Sequence, residues 1–352
     1  MDATFFGSAS KCRLLNDELL KESTFDELIN AETYSDVLRI MDETPYSSHI
    51  QALSGLYSSY ELLEIASNRR MMNLILKVAE SPPANGREAI KSYISRWDID
   101  SIKNIITSKY LGKEIKKSDI FVVDRNNYPV GMIGNVLSAE DYALMINEND
   151  IEGISKYLVK LSYGIYLLKY LDEYRKERDV SVLLYSLDIA YYSRLFESVK
   201  YFLGNEEPAR FFIRDEVDQK NLMTLIKAKS LGLDFEAIEN GLMNMGNISL
   251  QKLREIYNAS ESRNIAVKCL NAYGVSGIEE EYELPAGEAE TLMKRTLLER
   301  TLPRFALQSN SVGSIFNTLL RFENERNNLR IIFAGKAYGM DKAKISKMMV
   351  NI

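Results

Sequence analysis

WDIDSIKNIITSKYLG (Trp97–Gly112), VDQKNLMTLIKAKSLG (Val217–Gly232) and NERNNLRIIFAGKAYG (Asn324–Gly339) align with one another without gaps. Each has an acid at its second position (Asp98, Asp218, Glu325) and a small polar residue three places later (Ser101, Asn221, Asn328). Apolar residues then coincide at Ile102, Leu222, Leu329; at Ile105, Leu225, Ile332; and at Ile106, Ile226, Phe333. A lysine (Lys109, Lys229, Lys336) stands three places before a closing glycine. Apolar positions at i, i+3 and i+4 form one buried stripe of a helix. Helix grammar also accounts for the rest: an acid in a first turn, a lysine in a last turn, and glycine as the left-handed residue that ends a helix. Agreement at all these positions in three well-spaced copies exceeds what helix grammar alone produces. The chain therefore reads as three related units, 1–120, 121–240 and 241–352.

Outward from these stretches, helical spacing continues. Leu14–Asp42, Ile154–Lys176 and Leu292–Leu302 carry apolar residues three and four apart. Strand-like content is confined to Ile120–Val123 and to Val182–Ile189, and the second lies within a longer helical pattern, so it is predicted to be helix. Proline lacks a donor and clashes with the preceding turn, so Pro45, Pro82, Pro83, Pro129, Pro208, Pro285 and Pro303 are expected to bound helices rather than interrupt them. The predicted fold class is all-α, with three three-helix-bundle-like units. Packed alike on their neighbours, such units tend towards a funnel with pseudo-threefold symmetry and an axial cavity. Solenoid stacking is the competing geometry.

Composition narrows function mostly by exclusion. The 352 residues are 46% hydrophobic and 27% charged, which describes a globular chain with ample core. The most apolar stretch, Tyr157–Tyr174, contains Lys160, Lys169 and Asp172, so it is not a lipid-facing span. The N-terminus has no secretory pattern. A net charge of −6 with interleaved signs does not suggest a nucleic-acid partner. Cys12 and Cys269 read as buried free thiols. His49 is the sole histidine, which removes two-histidine zinc motifs and histidine-based triads. No phosphate-binding loop is present; Gly241–Gly246 (GLMNMG) lacks the lysine and hydroxyl such a loop needs, so no nucleotide site is expected. The acidic run Glu279–Glu283 reads as a solvated edge rather than a cation site. Neither cofactor nor metal is expected. Among 21 tyrosines, Tyr57 and Tyr60, and Tyr191 and Tyr192, form clusters suited to helix-packing boundaries or interfaces.

A family resemblance enters at the third stretch. Glu323-x-Glu325, Asn328-Leu329-Arg330-x-Ile332, then Lys336 and Gly339, followed by one short helix, resembles the closing signature of the central-stalk C (or d) component of V/A-type ATPases. Phe322 stands where that signature has lysine. The N-terminal region from Leu19-Leu20-Lys21-Glu22 through Thr44-Pro45-Tyr46 is similar too, with Met41 in place of a leucine. The resemblance implies a non-catalytic rotor component. It implies a socket on the ring of membrane proteolipids that receives the D and F components of the shaft, at the cytoplasmic face. It also implies one copy per rotor and a monomer in isolation. Glu323, Glu325, Asn328, Leu329, Arg330, Ile332, Lys336 and Gly339 are the candidate structural or interface residues. Arg330 is the foremost contact candidate, because its fork binds carboxylates or helix-end carbonyls. A helical-repeat adaptor with unrelated partners and an all-α enzyme for a small apolar substrate are the competing readings.

Overall fold

A computed structural model describes residues 5–115, 137–161, 163–200, 202, 206–279, 282–308 and 310–351. Every regular element among them is a helix. The strand hint at Ile120–Val123 lies outside the described residues, as do Pro129 and part of the acidic run at 279–283. Val182–Ile189 is helical, within α10 (Ser181–Ser198).

The three repeated stretches are the C-terminal parts of three long helices: α6 (Ala84–Tyr110), α11 (Glu207–Ser230) and α16 (Val312–Ala337). Gly112, Gly232 and Gly339 all take the left-handed conformation, with φ of 64°, 68° and 65°. This conformation costs any residue with a Cβ. A Cβ at each of the three would meet nothing within 4 Å, so the penalty for alanine there is purely one of backbone conformation. Gly232→Ala is expected to lower stability by about 1 kcal/mol, measured by urea unfolding; an unchanged midpoint would show that the turn can relax.

Each long helix gathers a similar set of neighbours. Two nine-residue helices and a long partner accompany α6: α7 (Ala139–Asn147), α8 (Ile151–Val159) and α10, with α9 (Gly164–Glu177) between the last two. Around α11 lie α12 (Phe235–Glu239), α13 (Leu250–Asn258), α14 (Ile265–Tyr273) and the long α15 (Ala286–Ala306). Around α16 lie α17 (Lys342–Met348) and, from the other end of the chain, α2 (Glu22–Asn30), α3 (Tyr34–Asp42), α4 (Ser47–Leu53) and the long α5 (Ser59–Ala79). The helix α1 (Phe6–Asn16) lies across α16 and α5.

The six long helices form a closed circuit: α5 packs on α6, α6 on α10, α10 on α11, α11 on α15, α15 on α16, and α16 on α5. Their cores divide along their length. At the N-terminal ends of α6, α11 and α16 one shared core holds Tyr93, Phe212, Phe305 and Phe316, with ring centroids 5.7–6.3 Å apart. Towards their C-terminal ends the α11 and α16 groups have separate cores of their own, one around Leu222, Leu253 and Leu270, the other around Leu329, Leu28 and Leu63.

Leu14–Asp42, helical in its spacing, comprises the end of α1, then α2 and α3, the break before α3 being fixed by a capping box between Thr33 and Asp36. One expectation is corrected. Pro303 lies inside α15 rather than at its boundary. Buried Leu302 and Phe305 anchor the turn on either side of it, and Asn317 Nδ2 donates to the Leu302 carbonyl at 3.1 Å. Burial of Leu302 and Phe305 holds the turn in place without the bond from residue 303 to the Glu299 carbonyl that proline forfeits.

Candidate functional site

The repeated acids do not sit in a first helical turn, contrary to the sequence expectation. Asp98, Asp218 and Glu325 lie in mid-helix and are buried, because each long helix begins well before the repeated stretch. Each ties its helix to the segment that enters the short-helix pair or to a tyrosine beside it. Glu325 accepts from the Leu20 amide at 2.5 Å and the Tyr46 hydroxyl at 2.6 Å. Asp218 accepts from the amides of Asn247 and Ile248, both at 2.9 Å. Asp98 accepts from the hydroxyls of Tyr142 and Tyr163 at 2.7 and 3.1 Å. Burial raises the pKa of all three against these hydrogen bonds, and takes Asp98 up to about 7.

The repeated lysines do stand in last turns, but they cap a different helix. Lys109 donates to the Ile146 carbonyl at 3.0 Å, Lys229 to that of Tyr257 at 3.0 Å, and Lys336 to those of Ile29, at 2.6 Å, and Ala31. These carbonyls are at the C-terminal ends of α7, α13 and α2, where orphan acceptors favour a cation. The repeated asparagines are reciprocal clamps. Asn221 exchanges two hydrogen bonds with the backbone of Met243, and Asn328 two with that of Val350. Leu329 and Ile332 are wholly buried core residues. Arg330 is more than half exposed and pairs with Glu64 of α5 at 3.2 Å.

Glu323 leads to residues that sequence reasoning missed. It immediately precedes the third stretch, as Arg96 and Glu216 precede the first and second, so the three occupy one repeat position. They meet in space. Arg96 Nη2 lies 3.0 Å from Glu216 and its Nη1 3.1 Å from Glu323, while Nε and Nη2 both donate to the Tyr191 hydroxyl. The guanidinium stacks on Tyr93, 4.0 Å from the ring centroid. Burial disfavours its charge, but Glu216 and the groups around it outweigh that and hold Arg96 above its ordinary range. The only sequence signal was a column of opposite charges, Arg, Glu and Glu, beside an otherwise matching block.

Beyond this triad, away from the aromatic core, the helices carry charge. Lys103 and Lys220 both pair with Asp188 of α10, Lys220 at 3.2 Å. Burial pushes the Asp188 carboxyl up, but the two lysines outweigh it and hold it below the usual range. Lys294 of α15 faces Glu323, and Arg326 donates to Asn68 at 2.7 Å. Lys220 keeps 43% of its side-chain surface open to solvent, against 17% for its partner Asp188. Among the described residues no group of three or more His, Cys, Asp or Glu is placed to hold a metal ion, and no helix is long and apolar enough to cross a membrane.

A sequence profile of the ATP synthase (C/AC39) subunit family matches residues 9–348, nearly the whole of this circuit. The chain belongs to that family. The C component of the A-type ATP synthase of Thermoplasma volcanium is 33% identical over all of this chain and 99% of its own length. Its counterpart in Thermoplasma acidophilum is 32% identical with the same coverage, and that in Methanococcoides burtonii 25% identical over 97% of this chain and 92% of its own. In this C/AC39 protein, then, the closing motif serves the fold at most of its positions, and Glu323 and Arg330 are the two that reach another long helix through charge.

Proposed function

We propose that this ATP synthase component is a non-catalytic part of the rotor: a socket that receives the D–F shaft and rests on the membrane proteolipid ring, at the cytoplasmic face, in one copy per rotor. The single observation that carries this reading is the closed circuit of six long helices, which carries the charged cluster of Lys103, Lys220 and Asp188. One shared core at the N-terminal ends of α6, α11 and α16, against separate cores further along, supports a funnel whose walls part towards the C-terminal ends. The three helix groups, rather than the linear thirds 1–120, 121–240 and 241–352, are proposed as its units. In the α11 group the chain runs on from Met243 to Ile248; in the α16 group Val350 and Leu20 hold the corresponding places, so the two chain ends complete one unit. Dense helix packing gives such a part the stiffness that transmitting torque requires.

The reading is tested by mixing the purified chain with a folded D–F pair from the same organism and weighing the complex by light scattering. A one-to-one-to-one complex is expected. Lys220→Glu should weaken it about tenfold, with a shallower salt dependence, since the socket would meet the shaft through this solvent-open charge. No complex with a demonstrably folded shaft would transfer the weight to an adaptor with other partners.

A further inference from the structure

Beneath the repeated stretches lies a second repeat that unequal spacing hides. In each group an arginine of the long partner helix stacks on a tyrosine: Arg70 on Tyr46, Arg194 on Tyr163 and Arg300 on Tyr273, at 5.0, 5.4 and 5.1 Å from the ring centroids. Beside each tyrosine is a buried acid. Tyr46 donates to Glu325 and Tyr163 to Asp98, while Tyr273 faces Asp215, one turn before Asp218 on α11.

The place in front of this pair is filled in one group and open in another. In the α16 group the segment between α1 and α2 occupies it. Arg70 Nη2 donates to the Glu18 carbonyl at 2.9 Å and lies 3.6 Å from the Glu18 carboxylate, and the Leu20 amide donates to Glu325. In the α11 group Ile248 plays the part of Leu20, so the position matching Glu18 is Gly246. A Cβ at Gly246 would come within 2.1 Å of the Asp218 oxygen that accepts from the Ile248 amide, so a side chain there would break that tie. A cleft of about 340 Å³ remains, lined by Phe211, Asp215, Asn247, Tyr273, Arg300 and Arg304.

That cleft is built and unsatisfied. Asp215, with 6% of its side chain exposed, has only the Tyr273 hydroxyl facing its Oδ2, and the two do not close a well-formed hydrogen bond, so each can take a better-placed partner. An acceptor beside a donor, each poorly met, matches the two faces of a peptide unit, whose N–H and C=O both require partners. Buried polar atoms left unpaired are costly, so a group that satisfies both is bound favourably. Above them Arg304 lies flat on Phe211, 3.9 Å from its centroid, and makes no ion pair among the described residues. Arg300 is engaged by the Tyr273 carbonyl at 2.8 Å and loosely by Asp215 at 3.6 Å. The acid that crowns Arg70 from within the chain has no counterpart here.

We propose that the cleft between α11, α14 and α15 binds an acidic peptide segment of a partner protein, its carboxylate set on Arg300 and Arg304 as Glu18 is set on Arg70. Its backbone N–H meets Asp215 Oδ2 and a carbonyl accepts from Tyr273. The proposal rests on the filled site in the same chain and stands whether or not the rotor reading holds.

The chain's own segment Leu14–Leu20 (LLNDELL), synthesised with blocked ends and a fluorophore, is the probe. Titrated with the full-length protein, it is expected to bind saturably, with a Kd on the order of 0.1 mM. Binding should fall about tenfold in Arg304→Gln, an exposed site whose loss leaves the fold intact, and further in Arg300→Gln/Arg304→Gln. A probe with its aspartate and glutamate replaced by the amides should bind equally weakly. Hydrogen exchange should slow at residues 211–218 and 272–273. No saturation up to several millimolar would overturn the proposal. So would binding that Arg304→Gln leaves unchanged, which would put the probe in the Arg70 site or elsewhere. Equal competition by inorganic phosphate would reduce the cleft to a simple anion site and refute the peptide.

Discussion

Replacing Arg96 by methionine is expected to destabilise the protein by about 3–5 kcal/mol, because it strands two largely buried glutamates that now share one guanidinium. Arg96 and Glu216 keep only 12% and 14% of their side-chain surfaces, so solvent screens the loss little. A loss of this size lowers the melting temperature of a chain this long by about 4–7 °C. Thermal melting followed by circular dichroism reads it directly. The control is Arg96→Met with Glu216→Gln and Glu323→Gln, which removes all three charges together. It should regain at least half the deficit, since a neutral site lacks the stranded-charge penalty. A melting point within about 1 °C of the parent for the single variant would show that Lys294, already facing Glu323, can replace the arginine.

Acidification from pH 8 to pH 5.5 should stabilise the folded chain, and Asp98 should be the main cause. Its carboxyl is pushed up from the ordinary 3.8 to about 7 by burial, against the hydrogen bonds of Tyr142 and Tyr163. A carboxyl whose pKa is higher folded than unfolded takes up a proton on folding throughout the interval between the two values. Stability therefore falls as pH rises from about 4 to about 7 and levels off above. For Asp98 the difference between pH 8 and pH 5.5 amounts to about 2 kcal/mol. Asp215, raised to about 6 by burial, adds in the same direction. Urea unfolding at the two pH values measures the effect, and Asp98→Asn should flatten it. A wild-type chain equally stable at both, or a slope that survives Asp98→Asn, would place the proton elsewhere.

Much of the fold was legible because helices are local. The apolar stripes of Ile102, Leu222 and Leu329 placed three buried faces, and Gly112, Gly232 and Gly339 marked three left-handed ends that the backbone adopts. The chain's membership of its family was legible in the ending from Glu323 to Gly339, on a match that the profile extends to residues 9–348. The site was less so. A helix-local rule assigned Asp98, Asp218 and Glu325 to first turns, because nothing in the stretches says that each helix starts about three turns or more earlier. The stacked pairs Arg70–Tyr46, Arg194–Tyr163 and Arg300–Tyr273 stand at unequal separations along the chain, so gap-free alignment could not bring them together.

By itself the sequence determined the helical segments, the C-terminal ends of the three long helices and their threefold recurrence, since these depend on periodicity, on chirality at glycine and on a lysine in the last turn, all set within a few residues. Only the tertiary structure decided which surfaces face one another. It brought Arg96, Glu216 and Glu323 to a single point, closed the α16 group with both ends of the chain, and left the Arg300 cleft open where Glu18 closes its counterpart. Those outcomes depend on contacts between residues far apart along the chain, and side-chain pairing at that range is fixed by how whole helices pack, which no local pattern encodes.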